Sequence, residues 1–398
     1  MTSSSFRVGP IRPPSEAKSL LLQVTNGCTW NKCAFCDIYR HTKFKAYSAD
    51  SVKEDIDRIA QIAGEVETYR RTGGGMEPMR EGWDIDGLNF RLGTIEGEEE
   101  RQCFYMVANW LISGGETVFL QDGNTTALAS GRLSDVLIYL KQTFPQIRRI
   151  TSYGRAADLA RHDADYFAEL KAAGLDRIHS GFESGSDKVL ELIHKGCTAE
   201  QEIKAGKAVK AGGIELSVYF MPGIGGKSLS KENAEGTAHV VNEVGPDFLR
   251  VRTAAVKPGT DLYEEYREGR YSLCGDDDKV QEIRRVIELA DGISTQIVSD
   301  HMVNLLQDVE GPMCDPVEQG AASGRAKAGL LSRIDRYLEM PETDRRVFQL
   351  LRRTLRAYDL EDLANLSAAE MQSLREAVRK DPVEVWDEKM NHYICRYI

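Results

Sequence analysis

Three thiols stand close together near the start of the chain: Cys28, Cys33 and Cys36, in the stretch Cys28-Thr-Trp-Asn-Lys-Cys33-Ala-Phe-Cys36. An apolar run, Leu20-Leu-Leu-Gln-Val24, leads into them and reads as a strand. Three thiols make a poor disulfide framework, because one pair leaves the third over. They suit a metal better. A closed zinc site takes four ligands. A four-iron cluster held by three thiolates keeps one iron open to a small molecule, to which it can pass an electron. Zinc stays in play, since Cys33-x2-Cys36-x4-His41 begins like a zinc knuckle. Ala46 occupies the closing position, so Cys28 would have to serve as the fourth ligand. Phe35 leans toward the cluster: an aromatic ring between two ligands suits stacking beside a cofactor and adds nothing to a knuckle.

These thiols need a frame. Six runs read as strands: 20–24, 117–120, 149–152, 177–180, 214–220 and 248–252. Helical stretches separate them, the first with Val52, Ile56, Ile59 and Ile62 at helical spacing after Ser48 or Asp50 as N-cap. Strands alternating with helices predict an α/β fold with a parallel sheet, here an open (β/α)6 partial TIM-type barrel with a helical C-terminal extension. The boundaries expected are a surface segment over 1–18, the barrel over 19–271 and a mainly helical region over 272–398. Residues 65–115 break the rhythm as an insertion between the first helix and the second strand. With Gly73-Gly-Gly75, Met76 and Trp83, it reads as a lid or substrate loop, or as a solvated ornament.

Such barrels do their chemistry at the carboxyl ends of the strands. Asp122-Gly123-Asn124 follows the second strand and Ser152-Tyr-Gly-Arg155 the third. Gly181-Phe-Glu183-Ser-Gly-Ser186 follows the fourth, with Lys195 after the next helix. Met221-Pro-Gly223-Ile-Gly225-Gly226-Lys-Ser228 follows the fifth. It fails as a P-loop, because Met221 stands where the first glycine belongs. Arg250 and Arg252 share one face of the sixth strand, suited to a carboxylate if that face points inward. Beyond it, Ser299-Asp300-His301 ends a β-like run, Thr295 to Val298. If that run docks beside the sixth strand, His301 and Asp300 would bind substrate or relay a proton. Otherwise Asp300 caps a helix from Met302 and His301 is structural.

The cysteine loop and these strand ends resemble the radical SAM superfamily over about residues 10–305. The usual spacing there is C-x3-C-x2-C with an aromatic before the last cysteine; the first gap here is x4. The run 181–186 resembles the signature of the methylthiotransferase-like and coproporphyrinogen-oxidase-like branches. The resemblance implies that Cys28, Cys33 and Cys36 hold a 4Fe-4S cluster. It implies that S-adenosylmethionine (SAM) meets Phe35, Asp122, Gly123, Asn124, Ser152, Arg155, Glu183, Lys195, Gly223 and Gly225. Glu183 would accept from the ribose, Lys195 would face the methionine carboxylate, and the glycine loop would approach the adenine. Reductive cleavage of SAM would give a 5′-deoxyadenosyl radical that takes hydrogen from substrate. An external one-electron donor of flavodoxin or ferredoxin type is implied too. A cobalamin domain is not expected ahead of the cysteines, since 27 residues precede them.

Bulk properties narrow the substrate. A net charge of −11 disfavours a broad nucleic-acid surface, placing a small molecule first and modification of RNA or protein as alternatives. No apolar run approaches the ~20 residues of a membrane span, and no secretory signal opens the chain, so a cytoplasmic enzyme is expected. The other five cysteines are scattered, which argues against a second cluster. The rival readings are a zinc-stabilised binding module and a plain iron–sulfur electron carrier.

Overall fold

The computed structural model of the chain describes residues 5–70, 82–314, 325–355 and 359–396. Gly73-Gly-Gly75 and Met76 lie outside them. The chain divides into two compact units. The first comprises Met1–Thr29, His41–His179 and Ala208–Glu215; the second comprises Trp30–Arg40, Ser180–Lys207 and Leu216–Ile398.

In the first unit, β1 (Leu20–Gln23) is buried along its whole length. The short strands β2 (Thr25–Asn26) and β3 (Lys45–Ala46) pair antiparallel at the two feet of the cysteine loop. Helix α1 (Ala49–Glu67) starts where the Ser48 hydroxyl accepts the Ser51 amide, and it buries Val52, Ile56, Ile59, Ile62 and Val66. Helices α2 (Ile85–Thr94) and α3 (Glu98–Ile112) follow. Then come β4 (Thr117–Gln121), α4 (Ser130–Thr143), β5 (Arg149–Tyr153), α5 (Ala156–Leu159), α6 (Ala164–Ala173) and β6 (Arg177–Glu183), whose last residues belong to the second unit. The pairings β1–β4, β4–β5 and β5–β6 are all parallel. Near-continuous apolar strands are what a parallel sheet covered on both faces requires.

Where the insertion is described, it is no solvated ornament: α3 buries Phe104, Val107, Trp110 and Leu111 and packs on α1 and β1. The N-terminal segment is tied down at several points. Phe6 is buried, Arg7 pairs with Asp55 at 2.6 Å, and the Gln121 side chain accepts the Gly9 amide and donates to the Ile11 carbonyl.

The second unit holds α7 (Asp187–Leu192), α8 (Ala199–Ala211, shared with the first unit), β7 (Glu215–Phe220), α9 (Gly226–Val244) and β8 (Phe248–Val251). Helices α10 (Asp261–Arg267) and α11 (Asp276–Leu289) precede β9 (Gln296–Val298) and β10 (Gly311–Pro312). Strands β7–β8 and β8–β9 pair parallel, and β9–β10 antiparallel. The β-like run before His301 is therefore a strand beside β8. The tail forms α12 (Arg325–Leu338), α13 (Glu342–Leu355), α14 (Ala368–Val378) and α15 (Val383–Cys395). Its last three helices close a small core of Val347, Val378, Trp386 and Met390. A buried ion pair, Arg353–Asp276 at 2.7 Å, fastens α13 to the start of α11. The architecture is α/β with a mostly parallel sheet. Among the described residues no helix is long and apolar enough to cross a membrane.

One packing contact depends on having no side chain. Gly236 in α9 lies against the backbone of Gly185, and a Cβ on Gly236 would stand 2.7 Å from the Gly185 carbonyl. The Gly185 amide donates to Thr237 Oγ1 at 3.1 Å, so the two segments are also bonded. Gly236→Ala is expected to cost about 1–3 kcal/mol by overpacking. Denaturant unfolding checks this, and an unmoved midpoint would contradict the close approach.

Candidate active site

In the first unit, buried polar residues gather at the carboxyl ends of β4 and β5. Asp122 is fully buried under the N-terminal segment, where a Cβ on Gly9 would touch its carboxylate at 3.3 Å. It accepts long bonds from the Gly27 amide (3.4 Å) and Gln23 Nε2 (3.5 Å), and burial pushes its carboxyl up to about 6. Gly123 supplies a further backbone N–H to the same carboxylate. Asn124, also fully buried, donates to Thr29 Oγ1 (2.9 Å) and Asp158 Oδ2 (2.7 Å), and accepts from the Arg155 amide (3.2 Å). The Thr29 hydroxyl donates to Asp158 Oδ2 at 2.8 Å, and Arg155 Nη1 reaches the same oxygen at 3.0 Å. Ser152 is buried, its hydroxyl turned to the Tyr153 carbonyl. Asp122, Asn124 and Arg155 thus converge on Gly27 and Thr29, the residues on either side of Cys28.

The second unit carries the rest of the loop. Trp30 Nε1 donates to the His194 carbonyl at 2.7 Å, and its ring covers Gly196, where a Cβ would stand 2.4 Å from it. Gly196 also has φ +69°, so glycine is needed there twice over. The Ala34 amide donates to the Ile193 carbonyl, and the Leu262 amide to the Ala34 carbonyl. The Cys36 amide donates to the Cys33 carbonyl, turning the chain between the two thiols. Phe35 packs against the core that contains Val189, Ile193 and Leu262.

Glu183 and Lys195 are bonded to each other at 3.0 Å, both largely buried, rather than standing apart. Burial pulls the ammonium pKa of Lys195 down, but Glu183, with Cys33 and Cys197 beyond, holds it above the ordinary value. Lys195 also lies 6.0 Å over the Phe35 ring. The glycine loop is held from behind. Gly223, at φ +86°, donates its amide to Glu282 Oε2 at 2.9 Å. Asn233 donates to the same oxygen and to the Met221 carbonyl, and the Tyr271 hydroxyl donates to the Gly223 carbonyl at 2.8 Å. Gly225 is the N-cap of α9.

Beyond β8 the structure places the remaining expected residues. Arg250 is buried, pairs with Asp300 at 2.7 Å and bonds Ser217 at 3.0 Å. Asp300 caps no helix, since residues 302–303 form a turn. His301 does not titrate near neutrality. Burial, with Arg252 nearby, pulls it down to about 3, and its Nδ1 accepts the Val303 amide.

Residues 98–235 match the family model described as the radical SAM superfamily. The match covers about a third of the chain. The tRNA uridine(34) acetyltransferase of Methanocaldococcus infernus is 27% identical over 116 residues, 29% of this chain and 22% of that protein. Elongator complex protein 3 of Homo sapiens is 20% identical over 265 residues, 66% of this chain and 46% of that one. The chain spans less than half the length of either relative. Among solved structures, the cobalamin-dependent radical enzyme OxsB is 14% identical at a TM-score of 0.44, covering 96% of this chain and 53% of that chain.

The similarity over residues 98–235 is to the radical SAM superfamily, whose members use a 4Fe-4S cluster and SAM. Its own residues fit that pair by donor chemistry. Cys28, Cys33 and Cys36 are half-buried and in no disulfide, on one loop, with no carboxylate or imidazole between them. Among the described residues no group of three or more His, Cys, Asp or Glu side chains is gathered to hold a metal, Cys28, Cys33 and Cys36 included. His41, the knuckle's fourth candidate, is exposed. Asp158, Thr29, Glu282 and the Trp30–Gly196 contact escaped the sequence reading, because each partner lies far along the chain.

Glu282 carries a pH signature. Burial pushes its carboxyl up from 4.5 to about 7, against the lowering pull of the Gly223 amide, Asn233 and Lys279. Between those values the folded chain keeps a proton that the unfolded chain has released, so stability falls as pH rises through this window. Glu282→Gln keeps an oxygen for the Gly223 amide and stays neutral. Its stability relative to the parent should therefore rise from pH 4.5 to 7, by on the order of 3 kcal/mol. Urea unfolding across that range checks it; a difference that stays flat with pH would contradict it.

Proposed function

We propose that Cys28, Cys33 and Cys36 hold the cluster and that SAM binds beside Phe35, Glu183, Lys195 and the glycine loop. The observation that carries this reading is the mounting of the cysteine loop. Its backbone is bonded through Gly27, Trp30 and Ala34, while none of its three thiols is used in a disulfide. When bound, the pair supplies one-electron reductive cleavage of SAM and, from it, hydrogen-atom abstraction. The chain's part is to bind, orient and exclude water. Phe35 keeps apolar surface at the last two thiolates. The buried Lys195 ammonium offers a positive charge to a carboxylate, with Glu183 balancing it until ligand arrives. Gly223, fixed by Glu282 and Tyr271, lets backbone come close to a flat ring, which a side chain would prevent.

Radical SAM enzymes draw their electron from an external donor, and a flavodoxin- or ferredoxin-type protein is the donor we propose. For substrate we put a small molecule first, because the chain's net charge of −11 opposes broad contact with a polyanion. A second reading, modification of RNA, is favoured by the likeness to a tRNA uridine acetyltransferase. Anaerobic assays with a reductant and SAM, with and without total tRNA, separate the two. A protein-dependent mass shift in a tRNA nucleoside would select RNA.

Two outcomes test the site. Replacing Cys28, Cys33 or Cys36 by Ala should abolish iron incorporation and the formation of 5′-deoxyadenosine; stoichiometric zinc without iron uptake would refute the cluster reading. Glu183→Gln should leave the cluster in place yet weaken SAM binding by about 1.5–3 kcal/mol, the worth of a charge-assisted hydrogen bond. Unchanged affinity by titration calorimetry would remove Glu183 from the site.

A further inference from the structure

Asp158 has no part in the chemistry described so far, yet it is almost fully buried and one of its oxygens gathers three donors. Thr29 Oγ1 lies 2.8 Å from Oδ2, Asn124 Nδ2 2.7 Å and Arg155 Nη1 3.0 Å. Asn124 closes the ring by donating to Thr29 Oγ1 at 2.9 Å, and its own oxygen is occupied by the Thr126 hydroxyl and the Arg155 amide. Every member of the ring is therefore oriented by another. Three places in the chain meet here: the turn after β4, the start of α5 and the residue following Cys28. Thr29 is itself exposed, so the fold does not need its side chain for core packing. What the ring fixes is the direction in which the backbone leaves Cys28.

We propose that Asp158 is a positioning residue for the cluster loop, acting through Thr29 and Asn124 to hold Cys28 in the orientation a ligand needs. This rests on the reading of Cys28 as a cluster ligand. A ligand on a loop without secondary structure of its own keeps its metal only as well as its backbone is held. Losing the Thr29 hydroxyl should cost no fold stability but should let the cluster leave more easily.

The test uses the full-length chain, reconstituted anaerobically, with iron release to a chelator as the readout. Thr29→Val keeps the shape and removes the hydroxyl; it should release iron about fivefold to tenfold faster, the size expected for one lost hydrogen bond. Thr29→Ser keeps the hydroxyl and should behave as the parent. Asp158→Asn should also release iron faster, and the double variant with Thr29→Val should be no worse than the poorer single one, since both cut the same contact. The melting temperature of iron-free Thr29→Val should match the parent. Parental iron release in Thr29→Val, or additive losses in the double variant, would overturn the proposal. So would a Thr29→Ser variant as leaky as Thr29→Val, or a lowered melting temperature in the iron-free valine variant. Cys28→Ala runs alongside: if it keeps its iron, the ligand reading falls and this proposal with it. If it loses iron while Thr29→Val does not, only the proposal falls.

Discussion

The constraint on which the rest depends is the mounting of the cysteine loop, which is tied down through its backbone while its three thiols form no disulfide. A loop of this kind has no ladder of its own to satisfy its backbone, and buried backbone donors cannot be left without partners. The chain answers with partners from outside the loop. Asp122 receives the Gly27 amide, Thr29 bonds Asp158, Trp30 reaches the His194 carbonyl, and Ala34 bonds both Ile193 and Leu262.

Buried charge in this chain follows the same logic. An ionised group taken out of water must be matched or must lose its charge. Lys195 is matched by Glu183, Arg250 by Asp300, and Arg353 by Asp276. Glu282 and Asp122 take the other course: few cations face them, and burial moves both carboxyls upward. Each of those acids accepts a backbone amide from a glycine, Gly223 in one case and Gly27 in the other. Positions where the backbone must come close to something are thus fixed by buried acceptors rather than by side-chain packing.

Much of this was legible in the sequence, for reasons that can be named. The parallel strands announce themselves as apolar runs, and the three cysteines by spacing alone. Helix α3 was hidden because its first turn is Glu98-Glu-Glu100, which reads as a solvated charge run though acidic residues favour a helix N-terminus. β9 was visible as a β-like run, whereas β10 is two residues long and contains Pro312. The N-terminal segment gave no periodic signal, since scattered bonds to Gln121 and Asp55 and one buried ring, Phe6, hold it. Thr29 and Asp158 are 129 residues apart, and Gly223 and Glu282 are 59 apart; no local pattern joins such pairs. For His301 the sequence left a relay and a structural role open; its burial and its bond from the Val303 amide suit the structural one.

The central claim is that the cysteine loop carries a cluster with one iron left open for SAM. Electron paramagnetic resonance of the reconstituted, dithionite-reduced protein, recorded before and after adding SAM, addresses it most directly. The signal expected is that of a one-electron-reduced four-iron cluster whose shape changes when SAM is added. A cluster signal indifferent to SAM, or a protein that takes up zinc and shows no such signal, would contradict it.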